Sequence, residues 1–165
     1  MRCSRNPAPA CSRWGLAGVT VFALAGTALL AAACDRPADE APATLELEAD
    51  TIQLAAGVRL LSVTVSTRPD GGEFDPELIT ARTGDVVRFT AGDARMHALA
   101  FSAAALAPEA RAFLEGTHQL RGPPMVTVGT QWVIDLDGAP PGSYPLTCTT
   151  HGASGRLVVS ARTRP

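Results

Sequence analysis

The chain has no lysine. All fourteen of its basic residues are arginine, set against sixteen acids, and they form no basic cluster, which excludes the electrostatic footprint of a nucleic-acid binder. Cysteine is nearly absent from the bulk of the chain. Cys3, Cys11 and Cys34 fall at the N-terminal end, and Cys148 stands alone beyond them. A domain made of the later residues therefore cannot close an internal disulfide. A lone thiol outside the reducing cytoplasm is a liability unless something occupies it, and a metal ion would. Methionine occurs at positions 1, 96 and 125 only, so none follows His151. Internal repeats are absent as well.

The first segment is built for export. Residues 1–15 carry Arg2, Arg5 and Arg13 and no acid, and residues 16–33 are almost wholly apolar, ending Leu29-Leu30-Ala31-Ala32-Ala33-Cys34. This is the pattern of a signal peptide. Small residues directly before a cysteine resemble a bacterial lipobox, although Ala31 stands where that motif usually has Leu. The resemblance implies cleavage before Cys34, lipidation of its thiol and, with Asp35 next, retention on the periplasmic side of the inner membrane. An uncleaved membrane anchor is the alternative, since the apolar run approaches spanning length. Removing the three arginines leaves 11 basic against 16 acidic residues, a net charge of −5. Such a domain suits exported life or a basic redox partner. Residues 34–43, rich in Pro, Ala and charge, read as a tether that cannot form a core.

Residues 44–165 read as one β domain. Leu61, Val63 and Val65 alternate with polar residues, as do Val87 and Phe89, His97, Leu99 and Phe101, Trp132 and Ile134, and Tyr144, Leu146 and Cys148. Each is the period-two pattern of a half-buried strand. Arg68-Pro69-Asp70-Gly71-Gly72, Thr83-Gly84-Asp85, Gly92-Asp93-Ala94 and Gly138-Ala139-Pro140-Pro141-Gly142 read as breaks or turns. A strand is expected to open at Phe74-Asp75-Pro76 and run through Ala81, and Leu157-Val158-Val159 closes the chain. Many short strands at this spacing predict an all-β sandwich or barrel. One short helix is expected over 107–116, with Pro at its entry, Gly at its exit, and Leu106, Ala110, Phe113 and Leu114 turned to the sheet. Residues 117–124 read as a loop.

The residues that carry chemistry are Cys148, His151 and His97. One thiolate and two imidazoles are the ligand set of a trigonal blue-copper site. Cys148 at a strand end with His151 three residues on lets one tight loop present both, and His97 supplies a third donor from another strand. Zinc is compatible with the same donors. A cysteine–histidine hydrolase is the alternative chemistry, but no oxyanion site is evident, and Cys-x-x-His on one loop suits chelation better.

With these pieces placed, the chain resembles the cupredoxins, the plastocyanin and azurin family. The resemblance is carried by Gly84-Asp85-Val86-Val87-Arg88-Phe89, Met96-His97 through Phe101, Pro141-Gly142-Ser143-Tyr144 through Cys148, and Thr149-Thr150-His151 followed by Gly155 through Val159. It implies a Greek-key β-sandwich, a single mononuclear copper ion held by His97, Cys148 and His151, and a non-enzymatic role as a monomeric one-electron carrier. Redox proteins would dock transiently near His151, and the lipid anchor would hold the chain at the membrane. Copper binding or delivery without rapid cycling is the competing role. A binuclear copper site is excluded, because it needs two cysteines.

Two positions depart from the family. The weak axial Met usually follows the loop histidine; in plastocyanin-like members the position is that of Arg156. An absent or carbonyl axial ligand is favoured here over Met125 or His118. Many members also have Asn after the first histidine, where this chain has Ala98. That substitution implies a less firmly held ligand loop.

Overall fold

A computed structural model describes residues 42–47 and 50–162. The expected signal peptide, the lipidated Cys34 and nearly all of the tether lie outside the described residues. Among the described residues no helix is long and apolar enough to cross a membrane.

The chain forms β1 (Thr44–Leu47), β2 (Asp50–Gln53), β3 (Leu60–Arg68), β4 (Gly71–Asp75), β5 (Leu78–Arg82), β6 (Val86–Ala91), β7 (Leu99–Phe101), α1 (Pro108–Gly116), β8 (Gln131–Asp135), β9 (Gly142–Cys148) and β10 (Ser154–Ser160), with a 3-10 turn over Ala103–Ala105. Two four-stranded sheets result, ordered β4-β3-β6-β8 and β5-β10-β9-β7, beside the small β1-β2 hairpin. The pairs β3/β6 and β5/β10 are parallel, so each needs a crossover, and the chain passes between sheets at every connection from β4 through β9. This is an all-β sandwich with one short helix, which settles the choice between sandwich and barrel that the alternation left open.

The alternating residues meet between the layers. Val63, Val65, Phe89 and Ile134 of one sheet and Leu99, Phe101, Tyr144, Leu146 and Leu157 of the other are all buried. Trp132 ties the layers together: it stacks on Phe89 of its own sheet at 5.5 Å and meets Phe101 of the other at 6.0 Å between ring centroids. Such pairs contribute about 0.5–1.5 kcal/mol each beyond the area they bury. The buried Tyr144 hydroxyl donates to the Pro140 carbonyl at 2.5 Å. In α1, Pro108 sits in the first turn with Glu109, and Ala110 and Leu114 are buried. Leu106 and Phe113 pack partly buried against the core.

Three expectations change. The segment from Phe74 to Ala81 is not one strand. Phe74 ends in β4, and β5 starts in the opposite sheet, because Pro76 lacks the N–H a continuing ladder requires. Gly71 and Gly72, read as part of a break, pair with Arg68 and Thr67 in the β3/β4 hairpin, leaving Pro69-Asp70 as its turn. The β1-β2 hairpin has no counterpart in the pattern reading, since four-residue strands are too short to establish a period.

Candidate metal centre

The site lies where β9 ends and the segment before β7 begins. Alternation along β9 buries Tyr144, Leu146 and Cys148 and sets Cys148 opposite Leu99 of β7. Its thiol is free and fully buried. The loop then folds back at once: the Gly152 amide donates to the Cys148 carbonyl at 2.9 Å, and the Cys148 amide to the Ala153 carbonyl at 2.9 Å. Gly152 has φ of 69°, a left-handed conformation glycine adopts without strain. This tight return carries His151 over the sulfur.

His97 comes from the stretch between β6 and β7. Its amide donates to the Met125 carbonyl at 2.8 Å, and the Met125 amide donates back to the His97 carbonyl at 2.9 Å. That reciprocal pair fixes the backbone, and the imidazole is wholly buried. His151 is half-buried and reaches the surface.

Donor atoms of His97, Cys148 and His151 all lie within 4.8 Å of one another. Cys148 Sγ is 3.9 Å from His97 Nδ1 and 3.7 Å from His151 Nδ1. A first-row ion with bonds of about 2.3 Å to sulfur and about 2.0–2.1 Å to imidazole, opened to about 120°, sets sulfur and nitrogen about 3.8 Å apart. The spacing therefore fits one ion. Burial pushes the Cys148 thiol up, but its polar contacts with Thr150, His97 and His151 outweigh it and bring its pKa down to about 6. The sulfur is thus poised as a thiolate, the form that binds metal.

Several surrounding contacts escape a sequence reading. Asp93 Oδ1 lies 3.0 Å from His97 Nε2. Thr150 Oγ1 is 2.9 Å from the Met96 carbonyl, 3.1 Å from Cys148 Sγ and 3.2 Å from His151 Nδ1. Asp93 was legible only as a turn residue after Gly92, and a loop threonine carries no pattern at all. The loop is also better held than Ala98 implies. The Ala98 carbonyl accepts from the Thr149 amide at 2.8 Å and from the Thr149 hydroxyl at 3.2 Å, so the backbone does what an Asn side chain would. From the other side, the Gly72 amide donates to the His151 carbonyl at 2.9 Å. A Cβ on Gly72 would sit 2.8 Å from the Ala153 Cβ and 2.9 Å from the His151 Cβ, so only glycine lets β4 approach the loop this closely.

The two other axial candidates separate. Met125 is fully buried and opposite His97 in an antiparallel bridge, where facing side chains share a side. His118 is exposed just past α1, with φ of 58°, and does not belong to the cluster of candidate metal donors. Arg156 is exposed on β10.

No protein-family model matches the sequence, and no curated protein matches it. Solved structures similar to it include the reduced state of an amicyanin mutant, at 20% identity and a TM-score of 0.43, covering 63% of this chain and 83% of that one. A reduced Cu(I) form of another amicyanin mutant at pH 4 matches at 22% identity and a TM-score of 0.44, covering 65% of this chain and 86% of that one.

Proposed function

We propose that the chain is a mononuclear type 1 copper protein that carries single electrons, with His97, Cys148 and His151 as ligands. The observation that carries this reading is the convergence of two imidazole Nδ1 atoms on one buried thiol, at 3.9 and 3.7 Å. Soft thiolate and imidazole donors select copper, zinc or iron over hard cations. Copper, when bound, supplies a one-electron couple.

The protein's own contribution is to keep the donors still and the sulfur dry. Cys148 is locked in a sheet, His97 in a reciprocal backbone pair, and His151 in a loop fastened to Ala98 and Gly72. Donors held this way need little rearrangement when the charge at the site changes. The half-exposed edge of His151 gives a partner its nearest approach. Met96 and Val126, the neighbours of the paired residues His97 and Met125, expose 51% and 58% of their surfaces. A transient redox partner would use such a small apolar face.

The test is copper loading followed by voltammetry. One equivalent of copper and a reversible one-electron wave are expected. Tight binding without a reversible wave would replace the carrier with a copper-holding or copper-delivering protein, a second reading favoured by the lack of any methionine after His151. Failure to take up copper would sink both. The N-terminal pattern places the protein, in this proposal, on the periplasmic face of the membrane through lipidated Cys34. Cys34→Ala should then release it from the membrane fraction; a membrane-bound variant would contradict the anchor.

A further inference from the structure

Building on the metal reading above, we propose that Asp93 is a positioning residue for the metal site: it fixes His97 with the proton on Nε2, leaves the Nδ1 lone pair for metal, and passes negative charge to the site through the ring. An ionised carboxylate only accepts hydrogen bonds. With Asp93 Oδ1 3.0 Å from His97 Nε2, that nitrogen must carry the hydrogen. A neutral imidazole then has its lone pair on Nδ1, the atom that faces Cys148 Sγ. The pairing thus explains which nitrogen is presented.

Asp93 is itself held before any metal arrives. Its Oδ1 accepts from the Arg95 amide at 2.8 Å and its Oδ2 from the Thr67 amide at 2.6 Å. These donors come from the end of β3 and from the segment leading to His97, so both sides of the carboxylate are anchored. His97 has no solvent to turn toward, so it cannot exchange this partner for water. A carboxylate behind a ligating histidine orients the ring and raises its basicity, and losing such a partner typically costs about 10–100-fold in metal affinity. A more basic donor favours the more highly charged oxidation state.

The test uses the whole protein with Asp93→Asn and Asp93→Glu. In the metal-free protein, long-range 1H–15N spectra should find His97 as the Nε2–H tautomer. With copper bound, Asp93→Asn should raise the reduction potential and weaken Cu(II) binding roughly 10–100-fold, with a smaller change for Cu(I), and Asp93→Glu should recover part of both. His97 protonated on Nδ1 overturns the proposal. So does a folded Asp93→Asn protein whose potential matches the parent, even if it melts earlier, because an ion pair that only stabilised the fold would not move the potential. A chain that keeps the Nε2–H tautomer but takes up no copper supports the pairing and sinks the electron-carrier reading.

Discussion

Among the described residues, two polar side chains are wholly buried, Asp85 and His97, and they flank opposite ends of β6. The strand between them spans about 20 Å. At the Asp85 end both carboxylate oxygens are answered. The carboxylate accepts from the Arg59 amide and guanidinium, the Arg82 amide and the Arg162 guanidinium, at 2.5 to 3.4 Å. At the other end, His97 is answered on one nitrogen only. Its second nitrogen faces a sulfur at 3.9 Å, too long for a strong hydrogen bond and right for two ligands of one ion. A buried polar group that is saturated is holding the fold. One left with convergent donor capacity is equipped to bind something. The sandwich thus carries a structural polar site before β6 and a receptive one beyond its other end.

The comparison breaks most sharply under two substitutions that should have opposite effects. Cys148→Ala should abolish the intense thiolate-to-copper colour while leaving the metal-free protein folded; a coloured variant would remove Cys148 from the ligand set. Asp85→Ala should do the reverse, costing roughly 3 kcal/mol in urea unfolding while the folded fraction still binds copper. That figure is the low end for breaking a buried ion pair, because Arg59 is 32% exposed and can rehydrate.

The same carboxylate sets a pH dependence. Burial pushes Asp85 up, but Arg59 and the Arg82 amide outweigh it and hold the folded pKa below 3.8. A group depressed in the folded state contributes stability above its unfolded pKa and loses it as pH falls through the folded one. Stability should therefore hold down to the ordinary carboxylate range and fall below it. Asp85→Asn should flatten that slope, and an unchanged slope would assign acid sensitivity to other groups.

At the receptive end, Gly72→Ala should be milder. The added methyl forces β4 and the ligand loop apart, at about 1–3 kcal/mol for overpacking, and weakened metal binding should accompany the lower stability. Stability lost with affinity intact would mean that the loop's position is set without Gly72. The smallest effect is expected from Met125→Leu, under about 1.5 kcal/mol for a volume-conserving core swap, with the visible spectrum unchanged. A shifted or lost band would make Met125 the axial ligand despite its position upstream of the cysteine.

The contrast between the two ends also explains what the sequence disclosed. Cys148 and His97 were legible because each sits in a strand pattern that fixes its direction, His151 because it follows Cys148 by three residues on one tight loop, and all three because sulfur and imidazole have few other uses in a disulfide-free domain. Asp85 and Asp93 were not legible in their roles. Both follow glycine closely, and Asp beside Gly reads as turn chemistry whether its carboxylate faces water or the core. Only tertiary placement brings Arg59, 26 residues away, to Asp85, or Thr67, also 26 residues away, to Asp93. Thr150 was silent for a similar reason, since its hydroxyl acts through the Met96 carbonyl 54 residues upstream.

The most direct test of the central claim is the optical and EPR spectrum of the purified protein loaded with one equivalent of Cu(II). An intense visible thiolate-to-copper band with narrow copper hyperfine splitting, bleached by reductant and restored by oxidant, is the predicted result. A folded protein that binds Cu(II) without that band would contradict it, because Cys148 would then not be a ligand and the convergence of His97, Cys148 and His151 would have another purpose.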